Sequence, residues 1–232
     1  MASLSDIRAF YRLLADLKGR ICGLRTLATC DGKTSWPQRG VYFFFEEGEI
    51  RRESGSGLRV VRVGTHALKT GSKTTLWKRL KNHKGAKNGG GNHRGSIFRL
   101  LIGAALMKRD RRLRVESWGQ GNSAPKEVRE REKLLEMEVS EYIGAMPFLW
   151  LKVDDEPSPE SLRGYIERNS IALLSNYGKP QAKAIDQPSA SWLGRFSDRE
   201  KACKSGLWNS NHVDGKHDPL FLSKLAKLVS QM

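Results

Sequence analysis

Four side chains of this sequence have the chemical types that hydrolysis of a phosphodiester requires. That reaction needs an activated water, a counter-charge for the pentavalent phosphorane and help for the leaving oxygen. Arg79 can offer a fork of donors to phosphate oxygens, and His83, one helical turn later, can exchange a proton near neutral pH. Tyr42 is a candidate proton acceptor. Glu167 lies on a partly apolar helical stripe, where a carboxylate is unexpected unless it is paired or binds a metal.

Each of these residues also has a purely structural interpretation. Tyr42 precedes three phenylalanines and can be a core aromatic residue, and His83 can be a surface histidine. Glu167 can form an ion pair with Arg163 or Arg168. The functional interpretation therefore depends on the combination, order and spacing of the four residues.

The distribution of charge indicates a polyanionic partner. The segment from Arg51 to Arg114 carries eighteen lysines and arginines against two acids, which equals the whole net charge of +16, and the rest of the chain balances to zero. So local an excess costs self-repulsion, and nucleic acid is its usual compensation. A solvated basic face without function is the alternative. The candidate DNA-binding residues in this segment are Lys69, Lys73, Lys78, Lys84, His93 and Arg94.

The elements that must position these side chains are strands and helices of ordinary length. Aromatic and β-branched runs predict strands at residues 40–45, 58–64 and 148–153, and a short polar connection makes the first two antiparallel. Ser5 is the predicted cap of a first helix that ends near Lys18, and Ile97 is predicted to face the core. The other predicted helices span residues 76–84, 96–107, 126–143, 159–175 and 220–229.

The composition is typical of one elaborated globular domain of 232 residues. No apolar run approaches the roughly 20 residues that span a bilayer, and the N-terminal residues lack the apolar segment of a signal peptide. The three cysteines are too few and too far apart for a metal pattern or a disulfide framework, as is typical of reduced thiols. We therefore expect a cytoplasmic protein that does not act at a membrane.

The order of the candidate residues resembles one nuclease family. Gly40-Val41-Tyr42, followed by Arg62-Val63-Gly64 at the end of the second strand, resembles the paired signature of the GIY-YIG endonucleases. Arg79 and His83 match the Arg-x-x-x-His of that family, and Glu167 resembles its late metal-binding glutamate. The resemblance covers roughly residues 38–178.

This resemblance implies an α/β (α+β) fold with a small antiparallel β-sheet of about three strands flanked by helices. It places the nuclease core at residues 37–178, with a helical N-terminal extension over residues 1–36. A C-terminal extension over residues 179–232 is expected to pack on the core.

The resemblance also implies a Mg²⁺-dependent endonuclease acting on double-stranded DNA, in which Mn²⁺ can substitute. Glu167 is then the metal ligand, and Arg79 neutralises the charge of the transition state. Tyr42 takes a proton from the attacking water, directly or through His83.

One position departs from the family pattern. Arg62 stands where the family has its second signature tyrosine, which helps to order the attacking water. Arg62 cannot act as a base but can bind phosphate, and His66 is a candidate for the lost function. The family's asparagine is assigned to Asn176, with Asn169 and Asn209 as alternatives.

The chain is most similar to the branch of the family that contains small type II restriction enzymes. The features in common are a long first hairpin, a loop like Gly91–Ser96 and a tail like Trp192-Leu-Gly and Gly206-Leu-Trp-Asn. This similarity implies a restriction enzyme that cuts both strands of DNA as a homodimer. A structure-specific repair or mobile-element nuclease, and a non-catalytic DNA-binding module derived from a nuclease, remain alternatives.

Overall fold

A four-stranded antiparallel sheet forms the centre of the computed structural model, which describes residues 3–232. Met1 and Ala2, at the start of the expected N-terminal extension, lie outside the described residues. In sheet order β1-β4-β2-β3, the strands are β1 (Arg25–Thr26), β4 (Pro147–Lys152), β2 (Gly40–Ile50) and β3 (Leu58–Gly64).

Helices cover both faces of this sheet. Within residues 3–232 they are α1 (Leu4–Arg20), α2 (Leu76–Lys84), α3 (Ile97–Arg109), α4 (Lys126–Ala145), α5 (Leu162–Leu174), α6 (Glu200–Ser205) and α7 (Phe221–Ser230). None of these helices is both long and apolar enough to cross a membrane. The expected small antiparallel sheet flanked by helices is confirmed.

The central strand β2 is apolar on both sides because helices pack against both of its faces. Tyr42 and Phe44 point into one core layer, which α2, α3 and α4 complete. Val41 and Phe43 point into the other layer, formed with α1, α5 and α7. A strand with one solvent-exposed face alternates between apolar and polar residues, whereas residues 41–45 of β2 form a continuous aromatic and β-branched run. The strand continues to Ile50 through residues that were predicted to belong to the polar connection.

Several local predictions are corrected by the structure. Ser3, not Ser5, caps α1, because its hydroxyl accepts from the Asp6 amide at 3.1 Å while Asp6 bonds back to the Ser3 amide. Ile97 is exposed, since Phe98 takes the inward position at the start of α3. β1 and α6, which have two and six residues, are too short to be recognised from their sequences.

The tail of the chain covers the open edge of the sheet. β3 is an edge strand, and the Trp208 amide donates to the Val61 carbonyl at 2.7 Å. The side chain of Asn209 bonds to both the amide and the carbonyl of Val63, at 3.1 and 2.9 Å. Edge strands carry unpaired backbone groups, and the tail supplies partners for those of β3.

A buried ion pair fastens the β2–β3 hairpin to this tail. Arg59 and Glu49 lie 2.6 Å apart with both side chains almost fully buried. Arg59 also donates to the carbonyl of Gly206, and Ser189 donates its amide to Glu49 at 3.2 Å. The pair therefore holds two strands and the tail in one arrangement.

We expect Arg59→Met to lower the free energy of unfolding by about 3–5 kcal/mol, because it leaves the Glu49 carboxylate buried without its partner. The double variant Arg59→Met/Glu49→Gln should recover part of this loss. Urea unfolding measures both. Arg52→Met, at an exposed position of the same hairpin, is the control and should change stability by less than about 0.5 kcal/mol. A double variant as unstable as the single one would contradict this account.

Candidate active site

A cleft beside the end of β3 brings together side chains from several elements and the tail. Arg62 comes from β3, Arg79 from α2 and Glu167 from α5. The remaining lining comes from these helices, the start of α3, the segment that follows β3 and the tail on both sides of α6. Its polar members are Thr65, His66, Lys69, Thr74, Asn82, Arg199, Asn209, Ser210, Asn211 and His212.

Tyr42 is fully buried directly behind this cleft. In the register of the hairpin it is paired with Gly64, and a Cβ on Gly64 would lie 2.3 Å from its phenol oxygen. At Gly40, a Cβ would lie 2.4 Å from the carbonyl oxygen of Leu151. Real carbon contacts do not come so close, so each signature glycine is needed because a neighbour occupies the space of a side chain.

Each ring nitrogen of His83 has one side-chain partner. Its Nε2 lies 2.8 Å from the Tyr42 oxygen, and its Nδ1 lies 2.8 Å from the Ser96 hydroxyl. The Ser96 oxygen also accepts from the Arg99 amide at 3.3 Å. With its proton on Nε2, His83 donates to the Tyr42 oxygen and accepts from the Ser96 hydroxyl, and with its proton on Nδ1 both directions are reversed.

The charge of the site favours a neutral His83. Burial, together with the guanidinium groups of Arg79, Arg62 and Arg99, holds the pKa of His83 well below its ordinary value. A neutral imidazole of the Nε2–H form is a donor toward Tyr42. His83 is thus a buried ring with a partner on each nitrogen, and not the surface histidine of the alternative interpretation.

Two guanidinium groups face the oxygen of Tyr42. Arg62 is almost fully buried, donates to the carbonyl of Trp208 and lies 5.3 Å from the centre of the Phe98 ring. Burial lowers the pKa of Arg62, and the nearby Tyr42 oxygen opposes that change. The Tyr42 oxygen is also the main group that raises the pKa of Arg79. Both arginines have a buried Nε without a partner among the described residues.

Glu167 is held at the cleft by one backbone bond. The Thr65 amide donates to its Oε1 at 3.2 Å, and within residues 3–232 its second oxygen has no hydrogen-bond partner. Burial raises the pKa of Glu167, and the charges of Arg62 and Arg79 oppose that rise.

The structural alternative for Glu167 does not hold. Arg163 pairs with Asp155, and Arg168 donates to the carbonyl of Pro159 at 3.2 Å. Neither arginine forms an ion pair with Glu167, so the free oxygen of this carboxylate faces the cleft without a protein cation bound to it.

Asn176 does not belong to this site, which corrects the sequence-based assignment. Its amide group bonds to the carbonyl and the amide of Ile185, at 2.8 and 3.0 Å, in a separate pocket. Asn209, an alternative in the sequence analysis, lines the cleft instead. Asn169 donates to the Tyr165 carbonyl and accepts from the Asp218 amide.

Three of the predicted DNA-binding side chains are used inside the protein. His93 is buried, with Nδ1 2.9 Å from Glu136 and Nε2 accepting from the Gly119 amide. Arg94 forms a two-pronged pair with Glu132 at 2.6 and 2.8 Å. The ammonium group of Lys84 donates to the carbonyls of Ala28 and Cys30.

The three other lysines of that prediction are exposed. Lys69 lines the cleft. Lys73 and Lys78 are exposed and lie four and nine residues after Lys69 in the sequence. The tail adds Arg199, an exposed cation outside the basic segment that the charge pattern alone did not single out.

Comparison with known proteins gives one result. A family model described as GIY-YIG domain matches residues 1–232, the whole chain. Neither the curated proteins nor the solved structures include a match.

We expect Gly64→Ala to destabilise the protein by about 1–3 kcal/mol, because the added methyl group displaces the Tyr42 ring from its place against β3. Urea unfolding measures the loss. Gly19→Ala is the control, since a Cβ there meets nothing within 4 Å, and it should leave stability unchanged or higher. Equal stability of the Gly64→Ala variant and the wild type would show that the ring has room to move.

Proposed function

Since this chain belongs to the GIY-YIG family of nucleases, we propose that it is a metal-dependent endonuclease that hydrolyses double-stranded DNA. The observation that carries the proposal is the convergence of Arg62, Arg79 and Glu167 on one cleft, with Tyr42 directly behind. Unused polar atoms collect there, namely Arg62 Nε, Arg79 Nε, His66 Nε2 and Ser210 Oγ. Buried polar groups normally have partners, so a group of unpaired ones facing a cleft fits a site built for a substrate.

Glu167 fits the requirements of a magnesium ligand. Mg²⁺ keeps several of its waters and is typically bound by one or two carboxylates together with phosphate oxygens of the substrate. Glu167 offers one free carboxylate oxygen, and residues 3–232 contain no group of three or more metal-binding side chains. Bound there with a DNA phosphate, the ion would supply positive charge beside the scissile group and the leaving oxygen.

Tyr42 is the proposed proton acceptor. Its oxygen lies 2.8 Å from His83 Nε2, and the guanidinium groups of Arg62 and Arg79 are close enough to interact with it electrostatically. A phenolate can take one proton from the attacking water as the new phosphorus–oxygen bond forms and the bond to the leaving oxygen breaks. In this arrangement His83 orients Tyr42, and the proton passes to Tyr42 directly.

Arg79 connects substrate binding with access to Tyr42. The Tyr42 oxygen is fully buried in the free protein, and the Arg79 side chain is only partly buried. The side chain of Arg79 makes a single long bond, 3.4 Å, to the carbonyl of Gly95. A phosphate in the cleft attracts this weakly held guanidinium, and its movement onto the phosphate opens a path for water to the phenol oxygen.

The basic segment contributes less external charge than its composition indicates. Within it, Arg59, Arg94 and Arg99 are neutralised by glutamates from outside the segment, at 2.5–2.6 Å. The exposed bases that remain include Lys69, Lys73, Lys78 and Lys81 around α2. These side chains are the proposed contacts to the DNA backbone, since phosphate contacts need charge and reach but no particular base edge.

The type of endonuclease is a finer proposal. We favour a type II restriction enzyme that acts as a homodimer, because the hairpin, the glycine-rich loop and the tail resemble those of small restriction enzymes. Incubation with plasmid and phage DNA plus Mg²⁺, followed by sequencing of the ends, tests this. Double-strand ends at one short sequence support restriction, whereas cleavage confined to branched or nicked DNA supports a repair or mobile-element nuclease.

We expect Glu167→Gln to abolish Mg²⁺-dependent cleavage of plasmid DNA, because the amide keeps the size of the side chain and loses the charge that binds the ion. Affinity for DNA in the absence of metal should be unchanged, as measured by fluorescence anisotropy. Glu141→Gln, at an exposed position of α4, is the matched control. Cleavage by Glu167→Gln at the wild-type rate would exclude Glu167 as the ligand.

We expect Arg79→Ala to lower the single-turnover cleavage rate on the order of 100-fold, as is typical when a donor to developing charge is removed. DNA affinity should change much less, because other cations remain at the surface. Lys78→Ala, the exposed neighbour on the same helix, should lower affinity slightly and leave the rate at saturating protein unchanged. Equal losses of rate and affinity in Arg79→Ala would make this residue an ordinary phosphate contact.

A further inference from the structure

Three consecutive residues at the end of β3, Gly64 to His66, each contribute to the structure of the cleft. Gly64 leaves room for the Tyr42 ring, and the Thr65 amide holds Glu167 at 3.2 Å. His66 follows directly, and its side chain lines the same cleft. The backbone thus places His66 next to the residue that holds Glu167 and two residues beyond the glycine against which Tyr42 packs.

The hydrogen bonds of His66 leave one nitrogen free. Its Nδ1 lies 3.0 Å from the carbonyl oxygen of Thr74, which can only accept, so Nδ1 carries the proton. The Nε2 of a neutral ring is then an acceptor. It is buried and has no partner among the described residues.

The surroundings keep this ring neutral. Burial, and then the charge of Arg163, lowers the pKa of His66 to about 4. Arg79 and Arg39 act in the same direction, and the bond to the Thr74 carbonyl opposes them. A free lone pair on Nε2 is therefore available at neutral pH.

An attacking water needs an acceptor for each of its two hydrogens if its remaining lone pair is to point at phosphorus. Tyr42 supplies one acceptor under the proposed function. Arg62, at the position of the second signature tyrosine, has only donors and cannot supply the other. Nε2 of His66 and Oγ of Ser210 are both buried, unpaired atoms of the cleft that can accept a hydrogen. His66 is the one that directly follows Gly64 and Thr65, the residues that position Tyr42 and Glu167.

We propose that Nε2 of His66 holds the attacking water by accepting its second hydrogen, so that His66 performs the water-ordering function of the missing tyrosine. The inference rests on the proposed nuclease function. In the step itself, the water oxygen bonds to phosphorus, one water proton passes to Tyr42, and the bond to the leaving oxygen breaks. The hydrogen held by His66 stays on the attacking oxygen.

Two substitutions test the roles of the two ring nitrogens of His66 separately. His66→Asn places its amide group near the position of Nδ1, where it can still donate to the Thr74 carbonyl, and lacks the Nε2 acceptor. His66→Gln places an amide oxygen near the position of Nε2. We expect His66→Asn to lower the single-turnover cleavage rate about 100-fold, as for a misplaced reactant, and His66→Gln to recover at least part of that loss.

Affinity for DNA and melting temperature should stay close to wild type in both variants. Cleavage by His66→Asn at the wild-type rate, or equal loss in both variants, would overturn the inference while leaving the nuclease function intact. A wild-type protein that cuts no DNA with Mg²⁺ would contradict the nuclease function, and the role of His66 with it.

A measurement on the wild-type protein does not depend on cleavage or on the folding of variants. Long-range ¹H–¹⁵N correlation spectra should show His66 with a proton on Nδ1 and a bare Nε2 from pH 5.5 to 8. A proton on Nε2 in this range, in either the neutral or the charged ring, would overturn the inference.

Discussion

The close approach of the Tyr42 ring to Gly64 determines where the other groups of the cleft lie. Because Gly64 has no side chain, the ring lies against β3 and its oxygen reaches His83 on the neighbouring helix at 2.8 Å. The strand ends at this point, so the next amide is free to turn toward Glu167 on the opposite helical layer. One steric constraint within a hairpin therefore connects both layers that flank the sheet.

Residue type and spacing were sufficient to predict much of the architecture. The strands were recognisable from their runs of β-branched and aromatic residues, which reflect burial on both faces. Tyr42, Arg79, His83 and Glu167 were found from their chemistry and order. β1 has two residues and no periodicity that could be detected. The pairing of the tail with β3 depends on contacts between residues about 146 positions apart, which local sequence does not encode.

The incorrect predictions for individual site residues also arise from contacts between residues that are distant in sequence. Asn176 and Asn209 are equivalent as residue types, and only the folded chain directs one to the Ile185 backbone and the other to the Val63 backbone at the wall of the cleft. Arg94 is indistinguishable from its basic neighbours by sequence, and its partner Glu132 lies 38 positions away. A charged segment thus contains both surface cations and internal ones, and the glutamates that pair with the internal ones lie outside the segment, on β2 and α4.

The tail along β3 has a consequence for any shortened form of this protein. A fragment limited to residues 37–178 retains Tyr42, Arg79, His83 and Glu167 but loses Trp208 and Asn209, and with them the partners of the Val61 and Val63 backbone. An uncovered, apolar edge strand pairs readily with edges of other molecules, so the fragment is prone to aggregation. The tail therefore occupies the backbone groups of β3 that could otherwise form hydrogen bonds with a strand of another molecule.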